Sequence, residues 1–253
     1  MSAPSERLTG LGRLARAAGA MAQDERTRLV RELKADGSIV TNGDRAVETF
    51  LRKELTAFVP GTTVWGEEFG FAERGEAGRW LVDPIDGTSN YAFGSPLWGV
   101  SIALEVEGRL TIGAVMLPDL DELYLAEDGG GAFLNERPMT PIEPGPIRKE
   151  ELTNYGERPL KAVGKIPGKQ RVTGAFVVDA TFAAGGRYRA MVAMREKLYD
   201  VAACVILGRE VGMDIVYVDG SPFEESELMQ DVKIERPWAF LPRDNGWVVP
   251  RGA

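Results

Sequence analysis

The N-terminal part of the chain carries apolar residues at helical spacing. Seven of them lie three, four or seven positions apart, on one face of a helix: Leu8, Leu11, Ala15, Ala18, Ala22, Leu29 and Leu33. After a polar break at Asp36-Gly37-Ser38, a second helical pattern ends before Pro60-Gly61, with Val47, Phe50, Leu51 and Leu55 on its apolar side. Either Thr41 or Asp44 can cap this helix. The pattern predicts two amphipathic helices at the start of the chain.

From Val64 to Leu134 the pattern changes to short apolar runs separated by turn residues. Trp80-Leu81-Val82 is typical of a buried strand. Three further runs predict a meander of strands: Val100 to Val106, Leu110 to Met116, and Leu123 to Leu125. The turns at Glu107-Gly108 and Pro118-Asp119 favour antiparallel pairing, because parallel strands need longer crossovers.

Residues 141–170 contain five Pro, four Gly and ten charged residues. This composition predicts a linker or long loop. It divides the chain into an N-terminal part, residues 1–140, and a C-terminal part, residues 171–253. In the second part, Ala175 to Ala184 and Val201 to Val211 are predicted helices and Ile215 to Val218 a strand. We therefore expect an N-terminal α+β half, with two helices on an antiparallel sheet, and a smaller C-terminal α/β half.

Composition narrows the chemistry. The 253 residues include no histidine and one cysteine, which excludes imidazole catalysis, thiolate zinc sites and internal disulfides. Any metal is expected to be a hard cation with oxygen ligands. The net charge of −8 argues against a broad surface for nucleic acid or anionic membranes. No apolar stretch of membrane-spanning length and no signal-peptide pattern is present, so the cytoplasm is the expected location.

Two acidic segments are candidates for chemistry. Residues 66–68 read Gly-Glu-Glu, and residues 83–90 read Asp-Pro-Ile-Asp-Gly-Thr-Ser-Asn. Asp83 directly follows the predicted buried strand, and a turn at Gly87 can fold Asp86 back toward it. Two such carboxylates repel each other unless a cation lies between them. Free amides at the start of a helix after Gly87 would face an anion, so the segment suits metal-assisted phosphoryl hydrolysis.

Each segment alone also has a purely structural interpretation. Asp-Pro and Asp-Gly pairs are common in turns, and Glu67-Glu68 could be a solvated loop. The joint string is more specific, because an apolar strand precedes it and Gly-Glu-Glu lies upstream. It resembles the signature of the inositol monophosphatase superfamily, the Mg²⁺-dependent, Li⁺-sensitive phosphatases that include fructose-bisphosphatases and bisphosphate nucleotidases. Further similar segments are residues 37–44, residues 101–104 and the second motif, Tyr199-Asp200-Val201-Ala202-Ala203.

The resemblance implies a layered α-β-α-β-α sandwich, a homodimer and a site with two or three Mg²⁺ ions, with Mn²⁺ as an alternative. It implies that Glu67, Asp83 and the carbonyl of Ile85 bind one ion and that Asp83, Asp86 and Asp200 bind a second. Asp200 also has an independent interpretation, because it precedes a predicted helix and could be its N-cap.

The resemblance also assigns catalytic and substrate contacts. Glu67 and Thr88 would orient and deprotonate the attacking water, with Asp44 hydrogen-bonded behind Thr88. The amides of Gly87 and Thr88, with Ser89 beside them, would bind the phosphate. Two divalent ions can activate water without a histidine.

The chain departs from the family pattern at positions that affect the substrate. Inositol-selective members carry an acidic residue seven positions before the second motif's aspartate, and here a gapless count gives Ala193. Glu196 could replace it only if the loop shifted. Basic residues precede Asp200, either as a solvated face or as a second anion site: Lys161, Lys165, Lys169, Arg171, Arg187, Arg189, Arg195 and Lys197.

These observations predict hydrolysis of a phosphate monoester on a small polyol, sugar or nucleotide. A sugar bisphosphate or a 3′(2′),5′-bisphosphate nucleotide is the alternative substrate. A glycosidase with paired carboxylates is a rival enzyme, whose activity would survive a chelator. The alternative of another class is a non-catalytic regulatory protein that keeps the phosphatase fold.

Overall fold

The computed structural model describes residues 3–221, 223, 225 and 233–247. The predicted C-terminal part, residues 171–253, thus extends into residues outside this description. Six α-helices lie in the described residues: α1 Glu6–Arg26, α2 Asn42–Phe58, α3 Thr88–Phe93, α4 Glu157–Val163, α5 Phe176–Ala184 and α6 Leu198–Glu210. The strands are β1 Arg31–Leu33, β2 Ile39–Thr41, β3 Thr63–Gly66, β4 Arg79–Asp86, β5 Gly99–Val106, β6 Arg109–Leu117, β7 Glu122–Glu127, β8 Gly131–Leu134, β9 Arg137–Pro138, β10 Leu152–Tyr155, β11 Lys169–Arg171, β12 Ala190–Ala193, β13 Asp214–Tyr217 and β14 Trp238–Leu241.

The larger sheet has seven strands in sequence order, from β3 to β9. Its first pair, β3 and β4, is parallel, and all other neighbours are antiparallel. The predicted meander is confirmed as β5, β6 and β7. Glu107 and Gly108 both have positive φ angles, 53° and 82°, which suits the tight connection between β5 and β6.

The second sheet has five strands in the order β11-β10-β12-β14-β13, with parallel and antiparallel pairs. One apolar cluster joins α1 and α2 to one face of the larger sheet. A second cluster places α5 and α6 between the two sheets, and a third packs α4 on the outer face of the smaller sheet. The layers are therefore α-β-α-β-α, and the predicted fold class is confirmed.

Two local predictions differ from the structure. Helix α1 ends at Arg26, and Leu33 belongs to a small hairpin of β1 and β2, where it is 77% exposed. Asp36 and Gly37 lie in the turn of this hairpin, where Gly37 has a φ of 84°. The predicted linker at residues 141–170 contains β10, α4 and the start of β11, so its short apolar runs contribute to the second sheet.

None of the helices in the described residues combines the length and the hydropathy that crossing a membrane requires.

Candidate functional site

The site is built around the end of strand β4. This strand is buried between β3 and β5, and its pairing with β5 shifts register between Asp83 and Asp86. Asp83 turns back on its own chain, because its Oδ1 accepts a hydrogen bond from the Ile85 amide at 3.0 Å. Gly87 then begins α3 with a φ of 80°. A Cβ at Gly87 would lie 2.7 Å from the Cβ of Ala175, so the position needs glycine for both conformation and space.

Asp44 and Thr88 lie in contact, as the family resemblance implies. Thr41 is the N-cap of α2, and Asp44, two residues into the helix, accepts hydrogen bonds from the Thr41 amide and hydroxyl. The Thr88 hydroxyl lies 3.3 Å from Asp44 Oδ1 and 3.0 Å from the Ile85 carbonyl oxygen, either of which can accept its proton. Burial raises the pKa of Asp44 to about 6, although the hydrogen bonds from Thr41 act to lower it. Ser89, next in the chain, is exposed.

Glu67 follows strand β3 and lies beside β4. Its backbone amide donates to the Val82 carbonyl at 3.2 Å, which extends the parallel ladder by one residue. Its carboxylate pairs with a cation that the sequence did not single out. Lys34, at the tip of the β1–β2 hairpin, lies 3.0 Å from Glu67 Oε1 and 2.6 Å from Glu68 Oε1. Although burial lowers the pKa of Lys34, the two carboxylates raise it more, so the ammonium stays charged.

Asp200 comes to the site from the second half of the chain. It lies at the third position of α6, and its Oδ2 accepts a hydrogen bond from the Lys197 amide at 2.7 Å. Lys197 is the N-cap, so the interpretation of Asp200 as the N-cap is wrong by three positions. The carboxylate still satisfies an amide of the first turn.

The carboxylates of the predicted ligands are close enough to raise one another's pKa values, so the fold brings them together in one cluster. Burial, followed by Glu67, Asp86 and Asp200, raises the pKa of Asp83 well above its usual range. Burial and Glu67 raise the pKa of Asp200 in the same way, and burial raises that of Asp86 to about 7. Like charges this close disfavour ionisation in the absence of a cation.

The donor set fits a hard divalent cation. Carboxylates and a carbonyl are the oxygen ligands that Mg²⁺ prefers. In the described residues, no three acidic, His or Cys side chains already converge at ligand spacing. Each aspartate has one oxygen held by a backbone amide, and the Lys34 ammonium stands where a cation would balance Glu67. A metal ion would therefore compete with the Lys34 ammonium for the Glu67 carboxylate.

A cavity of about 410 Å³ adjoins this centre. Ala175, whose Cβ lies beside Gly87, is part of its wall and connects the two. Its polar and aromatic lining includes Asn154, Arg158, Phe176, Asp179 and Glu196. Ala193 also lines the cavity, so the position where inositol-selective members carry an acid faces it here as a methyl group.

Glu196 and Asp179 are the acidic groups of the cavity. Glu196 is held by the Met194 amide and by the Trp238 indole, at 3.1 and 3.0 Å. Asp179 Oδ1 accepts from Asn154 and Thr173. Sequence reasoning missed Asp179, which lies in the middle of a helical pattern with no motif around it.

Asp179 gives a pH-dependent prediction. Burial raises its folded pKa to about 8, above the unfolded value near 4, so its contribution to stability is lost as pH rises through that interval. Asparagine keeps the accepting oxygen and does not titrate. We expect Asp179→Asn to melt close to the parent near pH 4 and a few degrees higher near pH 8.5 in EDTA, as measured by calorimetry.

Asp121→Asn is the control: Asp121 is exposed and pairs only at the surface with Arg16, so the change should leave the melting temperature nearly unchanged at both pH values. Parallel melting curves for Asp179→Asn and the parent across this pH range would show that Asp179 does not titrate there.

Several basic residues before Asp200 already have acidic partners. Arg187 pairs with Glu122, Arg189 with Glu151, and Arg195 with Glu235. These pairs favour the interpretation of this segment as a charged surface over a second anion site.

Comparisons with known proteins find similar sequences and similar structures that cover most of this chain. A model of the inositol monophosphatase family matches residues 4–243. An inositol-1-monophosphatase of Mesorhizobium japonicum is 34% identical over 201 residues, which are 74% of this chain and 75% of that protein. A histidinol-phosphatase of Chlorobaculum parvum is 46% identical over 106 residues, 42% of this chain and 41% of that protein. The solved structure of a Thermotoga maritima IMPase has a TM-score of 0.80 at 26% identity, covering 93% of this chain and 92% of that one.

Proposed function

Because the chain belongs to the inositol monophosphatase family, we propose that it releases phosphate from the monoester of a small polyol, sugar or nucleotide. The chain is a phosphoric monoester hydrolase, and members of its family are Mg²⁺-dependent. The observation that carries the proposal is the arrangement at the end of β4, where buried, mutually repelling carboxylates lie beside the Thr88–Asp44 contact.

Five residues are proposed to hold the metal ions. Glu67, Asp83 and the Ile85 carbonyl would bind one Mg²⁺, and Asp83, Asp86 and Asp200 a second. Bound there, Mg²⁺ supplies charge neutralisation and lowers the pKa of water. The backbone amides that hold one oxygen of Asp83, Asp86 and Asp200 leave the other oxygen for this role.

The residues of the chain then orient and deprotonate the attacking water. When Thr88 donates its hydroxyl proton to Asp44, the lone pairs of its oxygen are available to accept a proton from the water. Glu67 would accept the second hydrogen bond from the same water. Asp44 is buried and held by Thr41, so it keeps Thr88 in this donating orientation.

Phosphate is proposed to bind at the start of α3. The amides of Gly87 and Thr88 would donate to its oxygens, with Ser89 next to them at the surface. The leaving alcohol would occupy the adjoining cavity, which has room for a compact group. Because Ala193 has no polar atom on its side chain, strict selection of inositol hydroxyls is not expected.

An amino alcohol phosphate is a second candidate substrate. Asp179 and Glu196 give the cavity two acidic groups beside Arg158, and a cationic leaving group would favour their ionised forms; the Chlorobaculum parvum relative is a histidinol-phosphatase. Bisphosphates are less favoured, because three of the basic side chains before Asp200, those of Arg187, Arg189 and Arg195, are paired with acidic residues. A homodimer located in the cytoplasm remains our proposal for its state in the cell.

A panel of substrates tests the proposal. Phosphate release should be measured with inositol 1-phosphate, fructose 1,6-bisphosphate, adenosine 3′,5′-bisphosphate and histidinol phosphate, each with Mg²⁺ and with excess EDTA. We expect turnover of at least one of them, loss of that activity in EDTA and its return with Mg²⁺, because the reaction needs the cation.

Three outcomes would contradict this proposal. Failure to hydrolyse every substrate with Mg²⁺ would favour the non-catalytic regulatory protein. Phosphate release that continues in EDTA would exclude the metal-dependent reaction. In a parallel assay on a glycoside, cleavage that survives EDTA would favour the glycosidase.

A further inference from the structure

Glu48 is a buried carboxylate that the catalytic assignment does not use. It lies in α2, four residues after Asp44, and is fully buried. We propose that Glu48 is a positioning residue that fixes Glu67 for metal binding. This inference rests on the proposed function, because Glu67 matters only if the site binds Mg²⁺.

The contacts of Glu48 fall on the segment that directly follows Glu67. Its Oε2 accepts the Glu68 amide at 2.7 Å, and its Oε1 accepts the Phe69 amide at 3.2 Å. On the other side, the Glu67 amide is bound to the Val82 carbonyl. The backbone at Glu67 is therefore held on both sides: its own amide binds β4, and the amides of the next two residues bind Glu48.

Arg52 makes this arrangement possible inside the protein. A buried carboxylate needs compensation of its charge. The Arg52 Nε donates to Glu48 Oε1 at 2.9 Å, and its Nη1 donates to the Val64 carbonyl on β3 at 3.0 Å. Glu48 is thus bound by two amides and one guanidinium, which hold it in a single place relative to β3.

Gly66 shows how closely α2 packs against the end of β3. A Cβ at this position would lie 2.1 Å from Glu48 Oε1 and 2.3 Å from its Cδ. The backbone of Gly66 does not have a positive φ, so its conformation does not require glycine. The glycine is needed because the Glu48 carboxylate approaches the chain directly before Glu67.

Helix α2 therefore supports both groups that are proposed to activate water. Residues four apart lie on the same face of a helix. From this face, Asp44 contacts Thr88, and Glu48 holds the segment of Glu67. A change at Glu48 should affect metal binding through Glu67 and leave the Thr88 contact in place.

Direct measurement of metal binding tests this role. We expect Glu48→Gln to weaken Mg²⁺ binding 10- to 100-fold in titration calorimetry of the full chain, as is typical when a residue supporting a ligand is changed. The amide group would present its own N–H to one of the two backbone N–H groups and displace the segment. Glu54→Gln, on the same helix and with the same charge change, should bind Mg²⁺ like the parent.

A second set of variants separates positioning from loss of the fold. Gly66→Ala should weaken Mg²⁺ binding in the parent, because its methyl group would push against Glu48. In a Glu48→Ala background the space is open, so the added methyl group should have less than a twofold effect. Circular dichroism would verify that each variant is folded.

The outcomes are distinct for the two proposals. A folded Glu48→Gln that binds Mg²⁺ within threefold of the parent, or equal Gly66→Ala effects in both backgrounds, would overturn the positioning role. A parent chain that binds no Mg²⁺ would overturn both this role and the proposed function. A parent that binds Mg²⁺ but releases no phosphate from any substrate would overturn the proposed function alone.

Discussion

Replacing Asp83 by asparagine should reduce phosphate release by roughly 1,000-fold or more and should stabilise the metal-free protein. The loss of activity is expected because Asp83 is the only side chain proposed to bind both ions, and their charge stabilisation is worth several kcal/mol. The gain in stability follows from the raised pKa of Asp83. Burial and the neighbouring carboxylates disfavour the ionised carboxylate in the folded protein, so its charge costs stability that a neutral asparagine does not.

Two measurements check this prediction together. Steady-state phosphate release gives the activity, and melting temperatures in EDTA and in Mg²⁺ give the stability. The parent should gain melting temperature on addition of Mg²⁺, and Asp83→Asn should start higher and gain little. The matched control is Asp121→Asn, because Asp121 is exposed and its side chain pairs with Arg16 of α1. An Asp83→Asn variant with a normal response to Mg²⁺ would remove Asp83 from the metal site.

The parts of the fold that the sequence predicted are those with strong local periodicity. Helix α2 and the meander of β5, β6 and β7 have repeating apolar positions and clear turn residues. The hairpin of β1 and β2 was missed, because Leu29 and Leu33 happen to continue the helical spacing of α1. Its three-residue strands are too short to show an alternation.

The second sheet shows a different limit of sequence reasoning. Residues 141–170 are rich in Pro and Gly, yet β10 lies at the centre of a parallel arrangement between β11 and β12. The four residues of β10 are held by these neighbours, which come from distant parts of the chain. Local composition describes the turns around such a strand, while non-local pairing decides that the strand forms.

The site likewise contains residues that the sequence predicted and residues that it did not. The predicted residues at β4 and α3 lie within one short motif, and the structure brings Asp44 to Thr88 as expected. Lys34 and Glu48 act on Glu67 from separate elements, and neither belongs to a motif that could have identified it. Contacts made across the fold by single charged residues are visible only once the elements are packed.

Removal of the Thr88 hydroxyl is the second large effect that we expect. Thr88→Ala should lower kcat by about 100- to 10,000-fold, because this is the usual contribution of a positioned proton acceptor. KM and Mg²⁺ affinity should change less than about threefold, since the phosphate is proposed to bind to backbone amides and the metal ions to carboxylates. Thr88→Ser keeps the hydroxyl and should stay within about tenfold of the parent.

A cycle with Asp44→Asn separates proton transfer from simple packing. If Asp44 acts by holding the Thr88 hydroxyl, its replacement should reduce kcat strongly in the parent and have little further effect in Thr88→Ala, because residues that act as a unit are not additive. Asparagine can still accept from the Thr41 amide, so the cap of α2 is retained. Independent, multiplying losses in the double variant would show that Thr88 and Asp44 do not act together.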